Sequence, residues 1–208
     1  MKFIREQEFQ IGQISASEIS TGCELAAKRS ASGRSVQSTH KFGIQTKMRV
    51  DKINYYLDIA QTVAERGTCL RRNFGAIIVK NDAIIATGYN GAPRGRKNCS
   101  DVGSCTRERL NVPRGQRYEL CRSVHAEANC IISAPRLDMI GAELYLAGLD
   151  AATGELAANI EPCSMCKRLI INAGIEKVFV RNSPTEFKEF VVNDWVENDD
   201  SLNGTDGY

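Results

Sequence analysis

The stretch Gly75-Ala-Ile-Ile-Val-Lys-Asn-Asp-Ala-Ile-Ile-Ala-Thr-Gly88 is the starting point for predicting the fold. Two short runs rich in β-branched residues flank Asn81-Asp82, and a polar pair of this kind between apolar runs is typical of a tight β-hairpin. The sequence therefore predicts two antiparallel strands, over residues 75–80 and 83–88.

Helices and further strands are predicted on both sides of this hairpin. Upstream, an apolar pattern at helical spacing ends at Gly67 and consists of Ile53, Tyr56, Leu57, Ala60, Val63 and Ala64. Downstream we expect helices over residues 126–134, 163–173 and 187–195, and strands over 142–147 and 177–181. Because helices alternate with strands, the fold class is α/β, and we expect a three-layer α/β/α sandwich around a mixed sheet.

The two ends of the chain differ in composition from this predicted domain. Residues 1–48 are rich in polar residues and have no sustained apolar period, so we expect an N-terminal extension. Residues 193–208 contain five acidic and no basic side chains and form a predicted acidic tail. The folded domain is accordingly expected to span residues 49–192.

Composition and charge exclude several classes of protein. The 208 residues carry a net charge of +2, which excludes a globally basic nucleic-acid coat protein. No apolar run is long enough for a membrane helix, and the first residues lack a secretory signal, so a cytoplasmic protein without disulfides is expected. Residues 93–117 hold seven basic and two acidic side chains, a local excess that is typical either of a solvated face or of a site for an anionic ligand.

Two short motifs predict a metal site. His125-Ala-Glu127 is followed after 34 residues by Pro162-Cys163-Ser-Met-Cys166. One imidazole and two thiolates are a ligand set that suits Zn²⁺, and three protein ligands leave one tetrahedral position for water. Because structural zinc sites are closed by four protein ligands, this pattern favours a catalytic zinc.

Glu127 is not needed as a ligand, so its carboxylate is free to move protons beside the metal. This spacing of histidine, glutamate and two cysteines is the signature of zinc nucleobase deaminases. The alternative at this point is a closed structural site in which Cys121 or Cys130 is the fourth ligand and nothing is catalysed.

The chain resembles the deoxycytidylate (dCMP) deaminases of the cytidine and deoxycytidylate deaminase superfamily. The resemblance covers about residues 57–181 and rests on Cys69-Leu-Arg-Arg72, Gly75-Ala-Ile-Ile-Val79, Thr87-Gly-Tyr-Asn-Gly-Ala-Pro-Arg-Gly95, Asn98-Cys99, Glu119-Leu-Cys-Arg122, His125-Ala-Glu127 and Pro162-Cys-Ser-Met-Cys166. It implies the cytidine deaminase type of sandwich, with His125, Cys163 and Cys166 as zinc ligands and Glu127 as the catalytic proton shuttle.

The resemblance also implies a reaction and its partners. The protein would be a zinc-dependent hydrolase that converts dCMP to dUMP and ammonia in pyrimidine nucleotide metabolism, for the supply of dTMP. Relatives are usually homo-oligomers and are controlled by dCTP and dTTP, so allosteric control is a hypothesis for this chain. Asn90 is the candidate for contacting the sugar, and Arg71, Arg72 and Arg94 are candidates for the phosphate because a guanidinium binds phosphate through two hydrogen bonds.

A second, structural zinc is a further expectation from the resemblance. Several dCMP deaminases hold such an ion at the positions of Cys69 and Cys99, and Cys105 and Cys121 would complete a Cys₄ set. Four thiolates would stabilise the long polar segment between residues 89 and 123. The alternative is that some of these residues are buried or free thiols.

Departures from the family pattern leave other functions open. Tyr118 replaces a frequent histidine, and Asn182-Ser-Pro-Thr185 lacks an aromatic residue that many relatives carry. The alternatives are a deaminase of another cytosine nucleotide or nucleoside, a deaminase of transfer-RNA adenosine, and a zinc-held module that senses nucleotides without turnover.

Overall fold

The computed structural model describes residues 49–113 and 115–198. The predicted extension over residues 1–48 and the end of the acidic tail lie outside the described residues. The elements, in chain order, are α1 (Lys52–Ala64), β1 (Arg72–Lys80), β2 (Ala83–Tyr89), α2 (Cys99–Val102), α3 (Thr106–Arg109), a 3₁₀ turn (Tyr118–Leu120), α4 (Ala126–Ile131), α5 (Arg136–Met139), β3 (Glu143–Asp150), α6 (Ser164–Ala173), β4 (Lys177–Arg181), β5 (Phe187–Val191) and α7 (Val192–Glu197). None of the helices in this part of the chain has the length and apolar character needed to cross a membrane.

The five strands form one mixed sheet in the order β2-β1-β3-β4-β5. Only β3 and β4 are parallel, and the other neighbours are antiparallel. The predicted hairpin is confirmed: Asn81 and Asp82 connect β1 to β2 with φ values of 50° and 65°. Positive φ at both central residues is the conformation that gives a two-residue hairpin the right twist, and asparagine and aspartate tolerate it.

Helices cover both faces of the sheet. On one face, Leu57 and Ala60 of α1 pack against alternate strand residues such as Ile77 and Phe179. On the other face, Ala126 and Cys130 of α4 and Ile170 of α6 pack against a second set, which includes Ala76, Ile78, Leu144 and Val178. Because successive strand residues point to opposite faces, both clusters are built from the same strands. The expected three-layer α/β/α sandwich is confirmed.

Two glycines permit helices to lie close against this sheet. A Cβ atom on Gly75 would lie 2.2 Å from the carbonyl oxygen of Ala60 in α1. A Cβ atom on Gly88 would lie 2.3 Å from the backbone nitrogen of Cys130 and 2.5 Å from the carbonyl oxygen of Ala126, both in α4. The absence of a side chain therefore sets how near α1 and α4 come to β1 and β2.

The prediction of one helix over residues 187–195 is wrong. Residues 187–191 form the edge strand β5, and the helix α7 begins only at Val192. Phe187 packs with the α1-side cluster, whereas Phe190 packs with the opposite cluster and lies 5.7 Å from the ring of Trp195. A strand places these two phenylalanines on opposite faces, and helix α7 crosses the domain boundary predicted at residue 192.

Candidate metal centre and active site

Three potential metal ligands meet at one end of the sheet. The Nδ1 atom of His125 lies 3.4 Å from the sulfur of Cys163 and 3.4 Å from the sulfur of Cys166. All three ligand atoms lie within 4.8 Å of one another. Cys166 is buried, and the other two side chains are half-buried. The structure therefore brings together the three residues that the motifs predicted as zinc ligands.

The ligands are placed by the first residues of two helices. His125 is the residue immediately before α4, and Cys163 is the residue immediately before α6, with Cys166 one turn further on. Backbone hydrogen bonds in both directions between Gly91 and Val124 fix the segment that leads into His125. The position of His125 therefore depends on a hydrogen-bonded connection between the segment that follows β2 and the segment that precedes α4.

Glu127 lies in the first turn of α4, beside the three ligands. Its side chain is only 5% exposed, and it hydrogen-bonds with the thiol of Cys166. Burial raises the pKa of the Glu127 carboxyl above its ordinary value, because removal from water disfavours the charged form. A carboxyl group with a raised pKa is better suited than an ordinary surface glutamate to exchange a proton near neutral pH.

The thiols and the imidazole shift one another's pKa values. The hydrogen bond between Cys163 and Cys166 lowers the pKa of Cys163 and raises the pKa of Cys166. Burial lowers the pKa of His125, but hydrogen bonds with Cys121 and Cys163 outweigh it and raise this pKa to about 10. Metal binding to this group would release protons, because ligands must be deprotonated.

The donor set fits zinc. Nitrogen and two sulfurs are donors that a borderline-soft ion prefers, and their mutual separations let one ion contact all three. The sulfur of Cys130 is fully buried within the core cluster beside α4 and is not part of the group, which removes it as a fourth ligand. This group is the one in residues 49–113 and 115–198 whose atoms are close enough to hold a metal ion.

Comparison with known proteins identifies the family. The family model for the cytidine and deoxycytidylate deaminase zinc-binding region matches residues 50–182. The chain belongs to this family. Zinc is accordingly its cofactor.

The chain is similar to named relatives and to a solved structure. The deoxycytidylate deaminase of Mycobacterium phage D29 is 40% identical over 136 residues, which are 62% of this chain and 94% of the phage protein. The deoxycytidylate deaminase of Schizosaccharomyces pombe is 32% identical over 130 residues, and the match spans only 37% of its length. A crystal structure of dCMP deaminase from the cyanophage S-TIM5 with dCMP and dUMP is 26% identical, with a TM-score of 0.43, and the match covers 65% of this chain and 85% of that one.

The four cysteines suggested for a second zinc lie in one region of this deaminase-family chain. Burial raises the pKa of the Cys99 thiol most, and the nearby residues Cys69, Cys121 and Cys105 raise it further. The sulfur of Cys69 also accepts a hydrogen bond from the backbone nitrogen of Arg71, at 3.5 Å. These sulfurs do not form one of the groups of described residues that are close enough to hold a metal ion. The second zinc site therefore stays a prediction.

The side chain of Asn90 is occupied by the backbone of β1. Its Nδ2 atom donates to the carbonyl oxygen of Arg72 at 2.8 Å, and its Oδ1 atom accepts from the backbone nitrogen of Phe74 at 2.8 Å. The residue is 5% exposed. These bonds hold the end of β2 against the start of β1 and leave one amide hydrogen of Nδ2 and one lone pair of Oδ1 for a substrate, so the predicted sugar contact stays a prediction.

The three arginines predicted for phosphate binding are not brought together by a common contact. Arg71 forms an ion pair with Glu108 at 3.1 Å, Arg72 begins β1, and Arg94 is exposed in the turn after β2. Their assignment to the phosphate also stays a prediction.

Two further residues contact His125, of which the sequence suggested Cys121 only as a fourth metal ligand and did not suggest Tyr118. The ring of Tyr118 lies 4.8 Å from the imidazole at an angle of 89°, and Cys121 hydrogen-bonds with the same imidazole. Partners of this kind orient a metal-binding histidine. Spacing could not reveal them, because they come from an irregular segment whose path the sequence pattern does not define.

Proposed function

We propose that this chain catalyses the hydrolysis of dCMP to dUMP and ammonia, with zinc held by His125, Cys163 and Cys166. The observation that carries the proposal is the position of Glu127, a buried carboxyl next to the three candidate ligands. Three protein ligands would leave one tetrahedral position of a zinc ion for water. A structural zinc site has no use for a buried glutamate whose pKa is raised.

The zinc site and Glu127 would have separate roles in the reaction. Zinc bound here would act as a Lewis acid that makes water a nucleophile at neutral pH. Glu127 would accept the two protons of that water in turn, delivering the first to N3 of the cytosine ring and the second to the departing amine. A carbon–oxygen bond forms at C4, the carbon–nitrogen bond at C4 breaks, and the products are uracil nucleotide and ammonia.

The substrate assignment rests on the family and on charge. The two relatives named above are deoxycytidylate deaminases, and the phage protein is matched over nearly its whole length. The exposed basic residues Arg94, Arg96 and Lys97 follow β2 and form part of the positive segment predicted from the sequence. A positive segment favours a nucleotide over an uncharged nucleoside. We therefore favour dCMP over cytidine and over transfer-RNA adenosine.

The test is the substitution Glu127→Gln. It removes the proton shuttle but keeps the size of the side chain, so ammonia release from dCMP should fall by about 10²- to 10⁴-fold while the zinc content stays unchanged. The matched control is Glu119→Gln, which alters an exposed glutamate paired with Arg117 and should leave the rate unaffected. Full activity of Glu127→Gln would disprove the assigned role.

The choice of substrate needs a separate assay. Purified protein with measured zinc content is incubated with dCMP, dCTP, CMP, deoxycytidine, cytidine and transfer RNA, and ammonia is followed in each. We expect dCMP to have the highest kcat/KM. Faster turnover of a nucleoside would contradict the nucleotide assignment, and no turnover of any compound would favour a nucleotide-sensing module.

We also propose a second zinc, held by Cys69, Cys99, Cys105 and Cys121. The support is that the other three cysteines lie close enough to Cys99 to raise the pKa of its thiol, in addition to the larger effect of burial. A metal ion would stabilise the short helices of this segment. Purified protein should contain about two zinc ions per chain, and Cys99→Ser should contain about one. A content of one zinc in the unaltered chain would contradict this proposal.

Further properties are proposed from the resemblance. A homo-oligomer controlled by dCTP and dTTP would show effector-dependent sigmoidal kinetics and a mass above 22.9 kDa in solution. A cytoplasmic location is supported by seven described cysteines that are all free of disulfides, which suits a reducing compartment.

A further inference from the structure

A buried arginine lies within the segment that precedes the metal ligands. Arg107, on α3, is 6% exposed, and its Nη2 atom donates to the carbonyl oxygens of Pro113 and Gln116 at 2.8 and 2.7 Å. Its Nε atom has no hydrogen-bond partner among the described residues. A guanidinium removed from water is costly unless all its donors are used. Filling space alone therefore does not explain why a charged guanidinium is buried at this position.

The arginine contacts an aromatic ring. Its Cζ atom lies 4.6 Å from the centre of the Tyr118 ring, within the range of a cation–π interaction. This interaction becomes stronger when the cation has lost its water, as Arg107 has. The stack restricts the tyrosine ring to one orientation.

The same ring also contacts His125, the proposed metal ligand. Tyr118 and His125 meet with their ring centres 4.8 Å apart and their planes at 89°, the edge-to-face arrangement that aromatic pairs prefer. A ring held in this way opposes rotation of the imidazole about its bond to Cβ. Rotation would turn Nδ1 away from the two sulfurs that it faces.

We propose that Arg107 and Tyr118 are positioning residues for the metal centre, acting as a stack that holds the imidazole of His125 toward Cys163 and Cys166. The inference rests on the proposed function, because it takes His125 to be a zinc ligand. The stack lies between Cys105, which precedes α3, and Cys121, which follows the 3₁₀ turn. It therefore links the conformation of this cysteine-bearing segment to the geometry of the ligand.

The test uses Co²⁺, which replaces zinc and reports ligand geometry through its visible absorption. The variants are Tyr118→Leu, Arg107→Met and the conservative Tyr118→Phe, which keeps the ring. The comparison uses the Co²⁺ absorption that is lost in His125→Ala, because this absorption depends on the histidine ligand. We expect Tyr118→Leu and Arg107→Met to change this absorption and to weaken metal binding about 10- to 100-fold in competition with a chelator. Tyr118→Phe should match the unaltered protein.

Kinetics give a second measurement. Misplacement of the ligand should lower kcat for dCMP with little change in KM, because the substrate contacts are not altered. The control is Phe187→Leu, which removes an edge-to-face partner of Phe179 at 5.8 Å on the α1 side of the sheet. It should lower thermal stability without changing the Co²⁺ spectrum.

The outcomes separate this inference from the proposed function. An unchanged spectrum and metal affinity in both Tyr118→Leu and Arg107→Met would overturn the positioning role, and so would equal changes in Phe187→Leu. If Tyr118→Leu does not fold, Arg107→Met and Tyr118→Phe decide the question. If His125→Ala has the same metal content and spectrum as the unaltered protein, the proposed zinc site itself is wrong.

Discussion

The substitution Gly88→Ala should move one half of the metal centre away from the other. The new Cβ atom would lie 2.3 Å from the backbone nitrogen of Cys130 and 2.5 Å from the carbonyl oxygen of Ala126. Ordinary contact begins at 3.4 Å, and backbone atoms cannot turn aside as a flexible side chain can. Helix α4 must therefore retreat from β2 by about 1 Å.

This displacement affects His125 and Glu127 but not the two cysteines. The first pair moves with α4, whereas Cys163 and Cys166 belong to the start of α6. A misplacement of about 1 Å in a catalytic group can lower a rate by about 10²-fold, and forcing an extra methyl group into a packed core costs about 1–3 kcal/mol of unfolding free energy. The assay is kcat per zinc-loaded folded molecule, together with urea unfolding.

Gly75→Ala is the matched control. Its Cβ atom would lie 2.2 Å from the carbonyl oxygen of Ala60 in α1, on the opposite face of the sheet. It should destabilise the protein to a similar degree, and the molecules that remain folded should keep their activity. Equal activity losses in the two variants, or full activity in Gly88→Ala, would refute the argument that α4 sets the ligand geometry.

Two further predictions concern stability. Asn90→Ala should lower the unfolding free energy by about 1–3 kcal/mol, because the amide of Phe74 and the carbonyl of Arg72 lose their side-chain partner. Denaturant titration measures this loss of stability. A raised KM for dCMP without a loss of stability would instead favour a substrate contact. Hydrogen bonds with Lys52 and Tyr56 lower the pKa of Asp82, so this carboxylate stabilises the fold at neutral pH and the effect is lost as pH falls through the lowered pKa. The difference in thermal midpoint between the unaltered protein and Asp82→Asn should therefore shrink on acidification, and a difference independent of pH would contradict this reasoning.

Local patterns predicted the centre of the fold and the metal ligands. The hairpin was readable because Asn81-Asp82 is a pair that tolerates positive φ between two β-branched runs. The ligands were readable because the order of histidine, glutamate and two cysteines is tied to the starts of two helices. In both cases the residues that form the feature are close in sequence to the strand or helix that positions them.

Features set by contacts between distant segments were not predictable. The run Phe187-Lys-Glu-Phe-Val191 fits both a helical and a strand pattern, and only the open edge of β4 decides for a strand. The stack of Arg107 on Tyr118 depends on the path of a segment with short helices and no apolar period. Asn90 was predicted as a substrate contact from the family resemblance, and the sequence could not indicate that backbone atoms of β1 approach its amide.

The three candidate ligands lie at the starts of two separate helices, and this placement affects the stability of the protein when zinc is scarce. His125 is 38 residues from Cys163 and 41 from Cys166, so a denatured chain offers the ion little more than a pair of neighbouring sulfurs. Zinc held by these three residues would thus bind the native state selectively, and free zinc at 100 times its dissociation constant would add about 2.7 kcal/mol to native stability by mass action. Depletion of the ion would then reduce the amount of intact protein as well as its turnover.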